Sequence, residues 1–180
     1  MSDEEIKAII EVELNDQTDA NEIGKLLVGF GRLDNLLNIL TNRNYEIYSK
    51  YSRGFYYLDF YKKFHKKDRV IISKIRFGSP IHIEINGDIS KLANYLAIIS
   101  FLCNLLGINL KESIDAIVDF YCPKNIEENI KWIFKSVINT IYTPNVKIRK
   151  PKIKNDMLQK EVDRIIRKIE SFHVNTRKDK

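Results

Sequence analysis

The stretch SKLANYLAIISFLCNLLG, Ser90–Gly107, decides the fold, because a helix formed by these residues is apolar on almost every side. After Ser90 and Lys91 at its start, Asn94 falls on one side and Ser100 with Asn104 on another, so no single polar stripe remains. Such a helix either lies at the centre of a core or crosses a membrane. The run is near the lower length limit for a bilayer crossing, and asparagine is costly in lipid. We therefore predict a central buried helix over 89–106, with membrane association through helix 92–108 as the less favoured alternative.

Two short strands precede this helix, over 70–77 and 80–86, where isoleucines alternate with polar residues. Gly78-Ser79-Pro80 lies between them, which fits either a turn between two strands or one strand broken by a bulge. If the strands pair, one face carries four polar side chains: Lys74, Arg76, His82 and Glu84. Cross-strand charge pairing explains these residues with fewer assumptions than a His–Glu general base.

A third strand is predicted over 6–14, since Ala8, Ile10, Val12 and Leu14 alternate with Glu11 and Glu13. Hydrophobic spacing and capping residues predict further helices over 20–41, 110–122, 126–142 and 156–172. The fold class is therefore α+β: a small, mostly antiparallel sheet of about three strands, covered by helices and followed by a C-terminal amphipathic helix.

Three glycines interrupt the first predicted helix: Gly24, Gly29 and Gly31. Each costs roughly 1 kcal/mol relative to alanine in a helix interior. Close packing against another element is the favoured explanation, because the Lys-Ser/Thr pair of a phosphate-binding loop is missing after the last glycine.

The chain divides into four predicted regions. Residues 1–143 form an α+β core domain, and 144–155 form a basic linker that contains prolines. Val146 and Ile148 alternate within this linker and are compatible with an edge strand. Residues 156–173 form an amphipathic helix with a heptad seam, and 174–180 form a disordered tail.

The composition is that of a folded cytoplasmic protein. Hydrophobic residues make up 44% of the chain and charged residues 30%, with a formal net charge of +6. The two cysteines, Cys103 and Cys122, have no CxxC partner, and the N-terminus is acidic where a signal peptide is basic. Frequent Ile, Asn, Lys and Tyr indicate a low-GC microbial or viral coding sequence.

No catalytic, cofactor or metal-binding motif stands out. His65, His82 and His173 are far apart in sequence, and none has a second ligand at zinc spacing. We therefore predict no enzyme activity, no catalytic residues, no cofactor and no metal.

The leading hypothesis is a protein–protein interaction or adaptor module that associates with a protein partner or with itself. Trp132 projects from its helix among polar neighbours, so it is either covered by the C-terminal helix or available as an interface residue. The heptad seam docks either on its own domain or on another copy, and a projecting arm is favoured. The predicted interface residues are Trp132, Leu158, Val162, Ile165, Ile169 and Phe172.

Nucleic-acid binding is the alternative hypothesis. Residues 43–69 combine Tyr and Phe with Lys and Arg, and 147–154 contain five basic residues and no acidic one. Nucleic-acid binders interleave cations with stacking rings, although tyrosines also cover the cores of small domains. The candidate residues are Lys50, Arg53, Tyr56, Tyr57, Lys62, Lys63, Lys66, Lys67, Lys147, Arg149 and Lys150.

Overall fold

Five strands and five helices occur in the part of the chain that the computed structural model describes, residues 6–41, 69–103, 110–122, 128–141 and 145–178. The strands are β1 (Lys7–Leu14), β2 (Ile71–Arg76), β3 (Ile81–Asn86), β4 (Val146–Ile148) and β5 (Lys152–Ile153). The helices are α1 (Ala20–Thr41), α2 (Ile89–Cys103), α3 (Leu110–Tyr121), α4 (Glu128–Ile141) and α5 (Asp156–Lys178).

The strands form one antiparallel sheet in the order β2-β3-β1-β4, and β5 also pairs with β1. The α+β class is confirmed, but the predicted number of about three strands is wrong. The two additional strands come from residues predicted as a linker. The alternation of Val146 and Ile148 did indicate an edge strand, and β4 is the edge strand beside β1. Because β1 is hydrogen-bonded to three strands, it is the centre of the sheet.

Most aliphatic side chains of the strands face the helices, with Ile9 and Ile71 as exceptions. Ile10 of β1 lies opposite Ile83 of β3, and both side chains are buried. Ile75 of β2 lies opposite the same Ile83, while Val146 of β4 is buried opposite Leu14. Polar residues therefore occupy the other face, as the period of two requires.

The turn between β2 and β3 contains a cis Ser79–Pro80 peptide bond. The register also shifts between Ile72 and Lys74, where β2 has a bulge. Of the two alternatives left open by the sequence, the structure therefore has two strands joined by a turn at Gly78-Ser79-Pro80, and its bulge lies within β2.

Helix α2 lies at the centre of the core, as the sequence predicts. Nine of its residues are buried, and it packs against α1, α3 and α5. Its start is fixed by Asp88, whose Oδ1 accepts hydrogen bonds from the N–H groups of Ser90 and Lys91 at 3.0 and 3.4 Å. Tyr95 of α2 donates its hydroxyl to the carbonyl of Phe30 at 3.2 Å, so its one polar group is satisfied inside the core.

Within the described ranges, no helix combines the length and the apolar character that a bilayer crossing requires.

Helix α5 packs on α2 and α3 and does not project from the domain. Its seam residues Leu158, Val162, Ile165 and Ile169 are all buried against the core. The predicted arm is therefore wrong, because these side chains supply apolar contacts that α2 needs on that side. A chain that ended at Thr143 would lose α5 together with β4 and β5.

The predicted disordered tail is helical up to Lys178. An ion pair between Arg177 and Glu112 of α3 ties the end of α5 to the core, and His173 Nε2 lies 3.6 Å from the same Glu112 oxygen. The polar composition of the tail predicted disorder, because contacts between residues far apart in sequence leave no local pattern.

Helix α1 begins with a capping box formed by Asp19 and Glu22. The N–H of Glu22 donates to Asp19 Oδ1 at 2.9 Å, and the N–H of Asp19 donates to Glu22 Oε2 at 3.1 Å. Only one of its three glycines is closely packed. A Cβ added at Gly29 would lie 2.9 Å from Ile141 Cγ1, whereas a Cβ at Gly24 or Gly31 would meet no atom within 4 Å. Gly29 therefore lets α1 approach α4.

We expect Gly29→Ala to destabilise the protein and Gly31→Ala to stabilise it. At position 29 the new methyl group overpacks against the buried Ile141, which typically costs about 1–3 kcal/mol. At position 31 alanine gains about 0.5–1 kcal/mol through its higher helix propensity. Urea unfolding of both variants measures the two free energies. Equal effects of the same sign would contradict the close approach of α1 and α4.

Candidate functional site

The side of the sheet opposite the helices is the candidate site, and we call it the outer face. Alternation and register place Ile9, Ile71 and eleven polar or charged residues of the described chain on it. Six are basic and three are acidic, which leaves an excess of three positive charges: Lys7, Lys74, Arg76, Lys147, Arg149 and Lys152 against Glu11, Glu13 and Glu84, with His82 and Asn86 as the other two.

Glu11 is the centre of the charge network on this face. Its carboxylate accepts a hydrogen bond from Lys152 Nζ at 2.6 Å and lies 3.7 Å from both Arg149 Nη1 and His82 Nδ1. These groups come from β5, from the residue after β4 and from β3. Although Glu11 is only 3% exposed, its charge is therefore compensated by neighbours on both sides of β1.

The hydrogen bond from Lys152 lowers the pKa of the Glu11 carboxyl, and the charges of Lys152, His82 and Arg149 lower it further against the opposing effect of burial. Glu11 therefore stays ionised near neutral pH and stabilises the arrangement of the three groups around it.

Glu13 extends the network along β1. It pairs with Arg149 and lies 3.9 Å from Lys147 Nζ. The N–H of Arg149 donates to the Glu11 carbonyl at 2.9 Å, which continues the β1–β4 ladder past Ile148. Backbone pairing thus fixes where the basic side chains of this segment lie.

A small cleft of about 60 Å³ opens at the β2–β3 end of the outer face. It is lined by Ile9, Lys74, Arg76, His82 and Glu84. Glu84 lies 3.6 Å from Lys7 Nζ and 3.2 Å from the Ser73 hydroxyl. By contrast, Lys74 and Arg76 form no ion pair with any residue that the structure describes. Both cations are exposed beside this cleft, where Glu84 lies opposite Lys74 in the register but pairs with Lys7.

Phe77 directly follows Arg76 at the end of β2 and is 75% exposed. Ile71 and Ile72 of the same edge strand are also exposed. An accessible aromatic ring therefore directly follows the cationic end of β2 in the chain.

Several candidates predicted from the sequence lie outside the described residues, so the structure does not test them: Lys50, Arg53, Tyr56, Tyr57, Lys62, Lys63, Lys66 and Lys67. Of the other three, Lys147 and Arg149 lie together on the outer face. Lys150 is exposed next to them in the chain.

The predicted protein-interface residues do not form one surface. The four seam residues of α5 are buried in the core, and Phe172 is partly exposed with its ring edge-on to Phe120. Trp132 is 61% exposed, so the C-terminal helix does not cover it. Trp132 and Phe172 stay predictions as exposed interface residues.

Neither cysteine offers a reactive thiol. Burial raises the pKa of both the Cys103 and the Cys122 thiol to about 12, which keeps them protonated at neutral pH. Among the described residues, no group of three or more His, Cys, Asp or Glu side chains is placed to hold a metal ion.

Compared with protein-family models, with curated protein sequences and with solved structures, the chain matches none. Its functional assignment therefore depends on the geometry described above.

Sequence reasoning placed Lys74, Arg76, His82 and Glu84 on one face, and their pairing confirms it. It missed Glu11 as the centre of the network, and Lys152 as its hydrogen-bonding partner. The signal was present in the alternation of acidic residues in β1 and of basic residues in 147–149. Pairing those two segments was the step that the sequence did not supply.

We expect Glu11→Gln to destabilise the protein at pH 7 and to have a smaller effect at pH 3. The folded-state pKa of Glu11 lies below its ordinary value of 4.5, so ionised Glu11 stabilises the fold above that pH, and this contribution is lost as the pH falls through the folded-state pKa. Urea unfolding of both chains at the two pH values measures the difference. Glu128→Gln, at an exposed helix position, is the control. A Glu11→Gln effect that does not depend on pH would contradict this role.

Proposed function

We propose that the protein binds single-stranded nucleic acid on the outer face of its sheet. The observation that carries the proposal is the excess of basic over acidic side chains on this face, beside an exposed phenylalanine. The proposal keeps the nucleic-acid hypothesis of the sequence and changes its surface: the residues come from both ends of the chain and from β2.

Electrostatics supports an anionic ligand. Lys74 and Arg76 have no carboxylate partner among the described residues, so a phosphate can approach them without displacing one. The cations around Glu11 and Glu13 are already in ion pairs. They contribute to the positive potential of the face, but their donors are occupied by these carboxylates. The cleft beside Lys74, Arg76 and His82 is therefore the favoured phosphate position.

The shape of the face supports a single strand. An open sheet presents a shallow surface on which an extended backbone can lie while its bases meet exposed rings. Phe77 supplies one such ring next to Arg76. Stacking on an aromatic side chain contributes about 1–3 kcal/mol per base and tolerates any base, so we expect affinity with little sequence preference.

The proposed activity is binding without catalysis. The titratable groups of the outer face are used in ion pairs: Glu11 holds Lys152 and Arg149, and Glu84 faces Lys7. The role of these groups is to position cations, which suits recognition of a backbone.

The test is fluorescence anisotropy with a labelled single-stranded oligonucleotide, titrated over a series of salt concentrations. We expect affinity to fall linearly with log salt, and the double variant Lys74→Gln/Arg76→Gln to bind about tenfold more weakly or worse, with a slope shallower by about 1 to 2. Lys160→Gln/Lys168→Gln on α5 is the matched control, because it removes the same charge from exposed positions on the helical side.

Two results would refute the proposal. One is the absence of an anisotropy change at low salt with both DNA and RNA oligonucleotides. The other is an equal loss of affinity in the outer-face and α5 variants, which would show that only the net charge of the protein matters.

Protein–protein interaction is the second candidate function, and the exposure of Trp132 is the observation that favours it. A tryptophan that is mostly accessible on a helix surface is typical of interface hot spots. If the chain self-associates through α4, light scattering will give a mass above the 21.2 kDa of one chain, and Trp132→Ala will restore the monomer. A monomer for the unaltered chain at high concentration would exclude this route.

A further inference from the structure

A polar cavity of about 260 Å³ lies between the second half of α1 and the start of α2. Its described lining includes Asp34, Asn38 and Thr41 from α1 and Asp88, Ser90 and Lys91 from the beginning of α2. Pockets for drug-sized ligands are roughly 300–1,000 Å³ and mostly apolar. This cavity is smaller and mainly polar, so it suits a small polar molecule.

Asn38 is the unusual residue in this lining. Its side chain is 2% exposed, yet Nδ2 has no hydrogen-bond partner among the described residues. A buried amide without a partner is costly and calls for an explanation, and an absent ligand or water is one.

Asp34 lies one helical turn before Asn38 and is only 8% exposed. One carboxylate oxygen accepts the N–H of Val70 at 3.2 Å, and its other oxygen makes no hydrogen bond with a described residue. Burial raises its pKa to about 6, so the group is mainly ionised at neutral pH and accepts hydrogen bonds.

The start of α2 adds groups of the same kind. Oδ1 of Asp88 caps the helix, while its other oxygen has no partner among the described residues, and neither has the Ser90 hydroxyl. The cavity therefore presents two carboxylates that can accept further hydrogen bonds, a buried amide that needs an acceptor, and a hydroxyl that can donate or accept.

We infer that this cavity binds a small, uncharged, polyhydroxylated molecule of about the size of a monosaccharide. Each hydroxyl both donates and accepts, so neighbouring hydroxyls can donate to Asp34 and accept from Asn38 at the same time. The charges of Lys91 and Arg69, which both act on Asp34, offset the two carboxylates, so no net charge favours an ion over a neutral ligand. The inference does not depend on the outer face.

The experiment titrates the full chain with D-glucose, D-ribose and myo-inositol at millimolar concentration, with putrescine and inorganic phosphate as charged comparators. Amide chemical shifts in ¹⁵N NMR report binding, and thermal unfolding reports stabilisation. We expect at least one polyol to produce saturable shifts centred on 34–38 and 88–91, while neither charged probe does.

Variants separate a ligand site from an ordinary buried amide. We expect Asn38→Leu to weaken polyol binding at least about fivefold while raising the melting temperature of the unliganded protein, because the unpaired amide is gone. Ser90→Ala, at an exposed position, removes one ligand contact and keeps the test valid if Asn38→Leu does not fold. Asn139→Leu, an exposed asparagine of α4, is the matched control and should bind normally.

Three outcomes overturn the inference. The first is that no polyol gives saturable shifts. The second is that putrescine or phosphate binds at 34–38 and 88–91 in place of a polyol. The third is that Asn38→Leu and Ser90→Ala bind the polyol as well as the unaltered chain does.

Discussion

The enclosure of α2 is the constraint on which the rest of the structure depends. A helix that is apolar on nearly all sides needs apolar neighbours in every direction, and here they come from α1, α3 and α5 together with the inner face of the sheet. The helices that pack around α2 all lie on one side of the sheet. The other side of the sheet is therefore available to charged residues, and the outer face is a consequence of how the core is closed.

The same constraint explains why the C-terminal segments of the chain contact β1 near its N-terminus. α5 reaches α2 only after the chain has passed along β1 as β4 and β5. That passage brings Lys147, Arg149 and Lys152 beside Glu11 and Glu13. The same chain segment, β4 and β5, therefore both leads α5 to the core and completes the charge network. Glu11 compensates the basic segment locally, while Lys74 and Arg76 at the opposite edge keep their charge for a ligand.

The sequence predicted the fold well where local pattern decides it. Alternation gave β1, β2 and β3, and the apolar run gave α2, because burial requires those patterns whatever the partner is. The heptad spacing predicted for α5 also occurs in the structure. Spacing alone does not show which surface the seam packs against, and here it packs against the core of the same chain. The candidate site was predictable in part: the shared face of β2 and β3 followed from their pairing. Its centre at Glu11 was not, since contacts between residues about 140 positions apart leave no local signal.

The two proposed sites differ in the physics that supports them. The outer face is open and cationic, and its ligand would be held mainly by long-range charge and stacking. The cavity at Asn38 is polar and holds charges of both signs, so its ligand would be held by directional hydrogen bonds. Neither proposed site requires the other, so the outer face and the cavity can be tested separately.

Lysine acetylation of the full chain, with and without a bound single-stranded oligonucleotide and read by mass spectrometry, tests the central claim most directly. The account predicts protection of Lys74, Lys147 and Lys152 on the outer face and unchanged labelling of Lys160 and Lys168 on α5. The same experiment reads the lysines at 62, 63, 66 and 67. Protection confined to those four, or to the helices, would contradict the assignment of the outer face.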